Sequence, residues 1–445
     1  MPPALEASTA HSCAASPPAP EREPGLLKKI ARSLGPGLIT GAADDDPSGI
    51  ATYSQVGAQF GFGLAWVLLF SYPLMAVTQA IAGRIGCVTG DGIAQNLRLH
   101  YPRWLLRVAV LTLLVANIVN LGADLGAMGT AAQLLVGGPA LAYTAAFAAL
   151  CVLLEVFLSY ARYAAVLKWL TLALFAYVLV ALLAGVPWGE AMRGTFIPRL
   201  SLSNADEVMA VLAVLGTTIS PYLFFWQAAQ EVEEQERRQT QPLYVTPKRG
   251  DGEIDRVAVD TWVGMGLSNL ISWFIILAAA ATLHVRGVTN IETSAQAAEA
   301  LRPVAGEFAF VVFALGIVGA GLLAAPVLAG SAAYAVCETF GWTEGLDRKL
   351  KDARAFYGVI AVSTFLGFAL NFVGLDPIKA LYWSAVLNGL LAAPIMAAML
   401  MIASNRKIMR EFALGLRMRV AGWLAAAAMA AASAAFLILS ALGTG

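Results

Sequence analysis

The chain has 445 residues, of which 59% are hydrophobic and only 13% charged, and its net charge is zero. Soluble domains carry charge on about a quarter of their residues, so this composition excludes an ordinary soluble fold and indicates a polytopic, all-α membrane protein. The zero net charge singles out no class of partner, and no nucleic acid is expected as one.

Residues 1–25 are rich in Pro, Ala and Ser and lack an apolar core. They read as a disordered cytoplasmic tail rather than a signal peptide, with a single transmembrane domain following over 26–445. A spanning helix needs about 20 mostly apolar residues. Eleven such runs occur, at 35–60, 63–87, 104–135, 140–160, 163–187, 206–232, 258–283, 306–335, 355–373, 379–402 and 419–442. Lys and Arg collect on alternate loops, from Lys28, Lys29 and Arg32 before the first span to Arg406, Lys407 and Arg410 after the tenth. The positive-inside rule then places the N-terminus in the cytoplasm, and the odd number of spans places the C-terminus outside. Cys13, Cys87, Cys151 and Cys337 are scattered, which argues against a disulfide framework or a zinc site. His11, His100 and His284 all fall outside the apolar runs, so no histidine is available within the membrane.

Two spans are interrupted. The first contains Asp44-Asp45-Asp46-Pro47-Ser48-Gly49 and the sixth Gly216-Thr217-Thr218-Ile219-Ser220-Pro221. Proline removes a helical donor and clashes with the preceding turn. Frayed backbone at membrane depth persists only where it is buried in protein or lines a wet cavity. Breaks at corresponding positions of two five-span halves mark the midplane site of an inverted-repeat transporter. An aspartate at the centre of a span costs about 2.5–3.5 kcal/mol, so three in a row must meet a cation, water or a partner. Consecutive residues on a helix point about 100° apart and cannot share a face. Asp46, just before Pro47, is best placed to enter the break. Asp44 and Asp45 either assist it or pair with Arg84 or another neighbour. Carboxylates beside freed carbonyls suit a hard cation, and Thr217 and Ser220 offer hydroxyls from the other break.

The stretches "GPGLITGAADDDPSGIATYSQVGAQFGFGLAWVLL", "VLGTTISPYLFFWQAAQ" and "FALGIVGAGLLAAPVLAG" resemble the natural resistance-associated macrophage protein (NRAMP) family of divalent-metal transporters. The resemblance covers nearly everything after residue 25. It implies a LeuT-type fold with helices 1 and 6 broken: five-helix inverted repeats over about 34–187 and 206–402, and an extra helix over about 419–442. It also implies a metal site of Asp46, the Ala43 carbonyl, Gly49, Thr217 and Ser220, with Asp45 and Asp44 nearby. Asp124, Tyr222, Gln227 and Asn388 fall on positions of the relay or second shell. The family's asparagine is here Gly49, its methionine is Ser220, and its two helix-6 histidines are Tyr222 and Gln227. Two of its acidic positions are Asn117 and Ala127. A thioether suits transition metals, so its loss implies a harder and wetter site, similar to the NRAMP-related magnesium transporters.

The expected function is uptake of Mg2+ and/or Mn2+ by alternating access without coupled protons, in a multi-pass protein of the cell (inner) membrane. No enzymatic activity, cofactor or obligatory protein partner is expected; the metal is the substrate and the lipid bilayer the surroundings. The alternative is a proton-coupled Mn2+/Fe2+ symporter. An organic-solute transporter of the same fold would suffer from three aspartates that repel a substrate carboxylate, and an intramembrane aspartic protease lacks its paired motifs. Glu155 is expected to form an ion pair near the cytoplasmic face. Asn120 serves either a helix–helix hydrogen bond or the ion. The charged segment from Glu231 to Arg256 is expected to be a solvated loop.

Overall fold

Proline decides where the first and sixth spans break. In the computed structural model, which describes residues 35–157, 172–374 and 376–442, helix α1 (Pro36–Asp44) stops and α2 (Pro47–Phe60) restarts two residues later. In the sixth span α7 (Ala205–Thr218) stops and α8 (Pro221–Arg237) restarts. Both restarts have proline at the first helical position, where its missing N–H costs nothing. The residue before each, Asp46 or Ser220, is of a type that favours helix N-termini and has extended backbone. The same prolines leave carbonyls behind. Four residues before Pro47 and Pro221 stand Ala43 and Thr217, whose carbonyls therefore have no helical donor.

The other spanning elements are α3 (Trp66–Thr89), α4 (Arg103–Val136), α5 (Ala140–Phe157), α6 (Phe175–Leu183), α9 (Gly250–Thr282), α10 (Ala309–Phe340), α11 (Arg354–Leu370), α12 (Pro377–Ser404) and α13 (Leu416–Ala441). Every regular element among the described residues is helical. Nine helices among them are long and apolar enough to cross a membrane. The broken first span adds α1 and α2, and α6 is the described part of the expected fifth span. Residues 1–25, the expected tail, lie outside the described residues.

Helix α9 is the scaffold for the first break, packing along both α1 and α2. A Cβ on Gly41 would lie 2.3 Å from the Gly264 carbonyl oxygen, so only glycine permits this approach of α1 to α9. The start of α1 is held from the same helix. Asp260 accepts hydrogen bonds from the N–H groups of Gly35 (2.9 Å), Gly37 (2.7 Å) and Leu38 (3.1 Å), which no helical carbonyl can satisfy. Asp260→Ala should therefore cost about 2–4 kcal/mol, since each orphaned buried donor costs about 1–3. A thermal-inactivation series on detergent-purified protein would register this, and an unchanged midpoint would refute it.

The charged segment is more ordered than expected. Helix α8 continues to Arg237 and α9 already begins at Gly250. Glu231 is buried against Arg256 at 2.6 Å, and Glu234 pairs with Arg238 at 2.5 Å. Glu233 accepts from the Leu346 N–H at 2.7 Å and from the Tyr334 hydroxyl. These glutamates brace helix ends instead of facing water. Glu155 is buried on α5 and forms no ion pair with any described residue; the basic residues that follow its span, Arg162 and Lys168, lie outside the described residues.

Candidate metal site

Asp46 is the organising residue of the breaks. As the cap of α2 its Oδ1 accepts from the Gly49 N–H at 2.7 Å and the Ser48 hydroxyl at 2.8 Å. Its Oδ2 accepts from Asn120 Nδ2 of α4 at 3.0 Å and from the Tyr222 hydroxyl of α8 at 3.2 Å. Asn120 is fixed in turn by Ser384 of α12, whose hydroxyl donates to Asn120 Oδ1 at 2.7 Å. One carboxylate is thus aimed by side chains from three further helices. Asn120, ambiguous in the sequence, is a positioning group for Asp46, while Ser48 and Ser384 carry no sequence signal beyond being polar in an apolar run.

The second break faces the first across Gly49. A Cβ at Gly49 would lie 3.2 Å from both Thr217 Oγ1 and the Tyr53 ring and 3.5 Å from the Asp44 carbonyl oxygen, so glycine lets the two broken helices approach closely here. Ser220 turns its hydroxyl back onto its own helix, donating to the carbonyls of Gly216 (2.8 Å) and Thr217 (2.9 Å). Its single proton is shared between these two carbonyls, partly replacing the hydrogen bond that Pro221 denies Thr217, and only the lone pairs of its oxygen remain to meet a cation. Ala43, Asp46, Thr217 and Ser220 are each about 1% exposed. The groups around Gly49 are therefore a carboxylate, hydroxyls and a backbone carbonyl, with neither a sulfur nor an imidazole among them. A hard cation needs this kind of donor set.

Asp44 and Asp45 do not join Asp46. They face α9, where Ser268 Oγ lies 2.7 Å from Asp44 Oδ2 and 3.0 Å from Asp45 Oδ1. The alternative of a pair with Arg84 does not occur: Arg84 donates to the Phe412 carbonyl at 2.9 Å. Among the described residues no three His, Cys, Asp or Glu side chains gather as a metal-ligand cluster.

The outer ring is divided. Tyr222 touches Asp46, whereas Gln227 ties α8 to α1, accepting from the Thr40 hydroxyl at 2.5 Å and donating to Glu231 at 3.3 Å. Asn117 is spent on the Leu328 carbonyl (2.9 Å) and the Ser331 hydroxyl (2.7 Å) of α10. Asp124 is fully buried without a well-formed hydrogen bond. Asn388, one turn beyond Ser384 on α12, is buried with neither amide atom paired. A cavity of about 250 Å³ lined by Gln55, Gln59, Asp206 and Tyr382 reaches Ala51, little more than one turn along α2 from the break.

Residues 37–439 match the family described as natural resistance-associated macrophage protein-like. The chain is 26% identical over 422 residues to the divalent metal cation transporter MntH of Klebsiella pneumoniae (strain 342), covering 92% of this chain and 94% of that one. Its fold is similar to that of the Eremococcus coleocola manganese transporter, with a TM-score of 0.74 at 17% identity over 95% of this chain and 88% of that one. It is also similar to MhsT, solved with L-phenylalanine, with a TM-score of 0.63 at 15% identity over 91% and 97% of the two chains. The broken first and sixth helices thus sit in the LeuT-type transporter fold, and the chain belongs to the natural resistance-associated macrophage protein family.

Proposed function

We propose that this protein carries a hard divalent cation, Mg2+ and/or Mn2+, across the membrane by alternating access, without moving protons in step. The observation that carries the reading is that the candidate ligands around Asp46 and Gly49 are oxygens, with Ser220 and Tyr222 where a softer site would offer sulfur and imidazole. Magnesium sheds water reluctantly and keeps part of its shell, and the cavity that reaches Ala51, little more than one turn from the break, offers polar groups on its path. The family membership and the likeness to MntH support divalent metal as the substrate class. Asp46 is the direct ligand, with the Ala43 carbonyl and the oxygens of Thr217 and Ser220 completing the protein's share. The chain is a transporter rather than an enzyme, built as two inverted repeats (about 34–187 and 206–402) plus a final helix (about 419–442). Its N-terminus lies in the cytoplasm and its C-terminus outside the cell membrane. A divalent ion moving inward gains about 4.6 kcal/mol per 100 mV of inside-negative potential, so accumulation needs no proton gradient.

Asp124 favours a second reading, a proton-coupled Mn2+/Fe2+ symporter, because a buried carboxyl without partners is a group that can take up and release a proton. Purified protein in liposomes separates the two. Internal metal and pH dyes should report Mg2+ influx under an inside-negative potential with no acidification. Mn2+ influx with acidification and no Mg2+ signal would overturn the uncoupled reading and establish the symporter.

A further inference from the structure

Asp44 and Asp45 are directed away from Asp46, into a separate polar nest between α1, α2 and α9. Asp44 ends α1, and Asp45 follows with φ −80° and ψ 53°, a non-helical turn that swings it onto α9. There the Ser268 hydroxyl touches both carboxylates, at 2.7 Å and 3.0 Å. One turn on, the Ser272 hydroxyl lies 3.3 Å from Asp45 Oδ1 and 3.0 Å from the Ser268 carbonyl. Each hydroxyl has a single proton, so Ser268 cannot satisfy both acids at once. Asp44 Oδ1, in a side chain about 1% exposed, accepts no hydrogen bond at all. A second observation points the same way from another element. Tyr53 of α2 is completely buried and its phenol makes no well-formed hydrogen bond; Ser272, Asp44 and Asp45 lie around it, with Asp46 also near.

Two adjacent acid side chains, two serine oxygens and a phenol oxygen therefore converge in a buried space. Asp44 Oδ1 and the Tyr53 phenol are left without well-formed partners, and the donors a cation would meet here are hard oxygens throughout. From this we propose that Asp44, Asp45, Ser268, Ser272 and Tyr53 form a second binding site for a hard divalent cation, separate from the one at Asp46. The ion dwells there on the α9 side of the break. The proposal rests on the Asp46 reading only for the total number of ions bound.

The test is the stoichiometry of Mn2+ bound to the purified full-length chain, read from the loss of the free-ion electron paramagnetic resonance signal. Two ions per chain are expected. Asp46→Asn should leave one, and a Ser268→Ala/Ser272→Ala double variant, which keeps every carboxylate, should also leave one or weaken it at least tenfold. Tyr53→Phe should weaken the same ion, so the test survives if Asp44→Asn/Asp45→Asn fails to fold. One ion in the native chain, lost in Asp46→Asn and untouched by the serine and tyrosine variants, would overturn the second site and leave the first standing. One ion lost in the serine variant but kept in Asp46→Asn would instead overturn Asp46 as a ligand. Displacement of the second ion by Na+ but not by Mg2+ would overturn its divalent character.

Discussion

Asp46→Asn should reduce metal influx into liposomes by about a hundredfold or more. The substitution keeps the shape of the side chain and an oxygen that can still cap Gly49 N–H, so the fold of the break is retained. What disappears is the only negative charge among the groups that meet around Gly49. Losing an outer-shell partner of a metal ligand typically costs 10–100-fold, and losing the ligand's charge should cost more. Asn120→Ala provides the comparison. It removes one of the donors that aim Asp46, at 3.0 Å, while Ser384 keeps the Leu381 carbonyl as an acceptor at 2.7 Å. Influx should fall by about tenfold while the order of preference among metals stays the same. If Asp46→Asn transported normally, the ion would have to pass through the Asp44–Asp45 nest alone.

The breaks are legible in the sequence because proline acts locally, but proline alone is not the signal. Pro73, Pro326 and Pro394 lie inside helices that continue through them. Pro47 and Pro221 differ in following polar residues in extended backbone: Asp46 caps the restarted helix, and Ser220 bonds back to the carbonyls of the helix that has ended. The rule that consecutive helical residues diverge accounts for the three aspartates only in part, because the helix ends at Asp44, and Asp44 and Asp45 share Ser268 while Asp46 turns away. It cannot say what they meet. Ser268 and Ser272 stand in an apolar run more than 200 residues away, and a serine in a span is as readily bonded to its own helix. Asn120 is ambiguous for the same reason, since its partner Asp46 is 74 residues distant.

Charge is the least legible property. A run such as Glu231 to Glu236 reads as solvated by composition, yet Glu231 and Glu233 are buried on α8 by helices whose approach no local pattern encodes. Asp260 is a similar case. Its sequence context suggests only one more acid near a loop, while the fold places it under the first turn of α1. The outcome is that α9 controls the first broken helix from end to end, through Asp260 at the start of α1, Gly264 at its middle and Ser268 at its end. These three residues recur every four positions along α9, one face of one helix.

Ser220→Met should shift selectivity from Mg2+ towards softer ions, raising the Cd2+-to-Mg2+ influx ratio at least about tenfold, equivalent to about 1.4 kcal/mol. Opposing physical changes are involved. The thioether offers a polarisable donor that favours transition metals and gives little to magnesium. The lost hydroxyl also frees the Thr217 carbonyl, which Pro221 already deprives of its helical donor; that hard oxygen opposes the shift, and the thioether has to outweigh it. The longer side chain must enter the tight space beside Gly49, where Thr217 Oγ1 lies only 3.2 Å from the point a Cβ on Gly49 would occupy, so it displaces water that a hydrated magnesium ion would keep. Gly49→Ala crowds that space without adding sulfur. It should depress Mg2+ influx more than Mn2+ influx and leave Cd2+ no better transported than before. Competition between Cd2+ and Mg2+ in the same liposomes separates the effects: if Ser220→Met leaves their ratio unchanged, the ion does not pass within reach of residue 220, and the hardness of the site is set elsewhere.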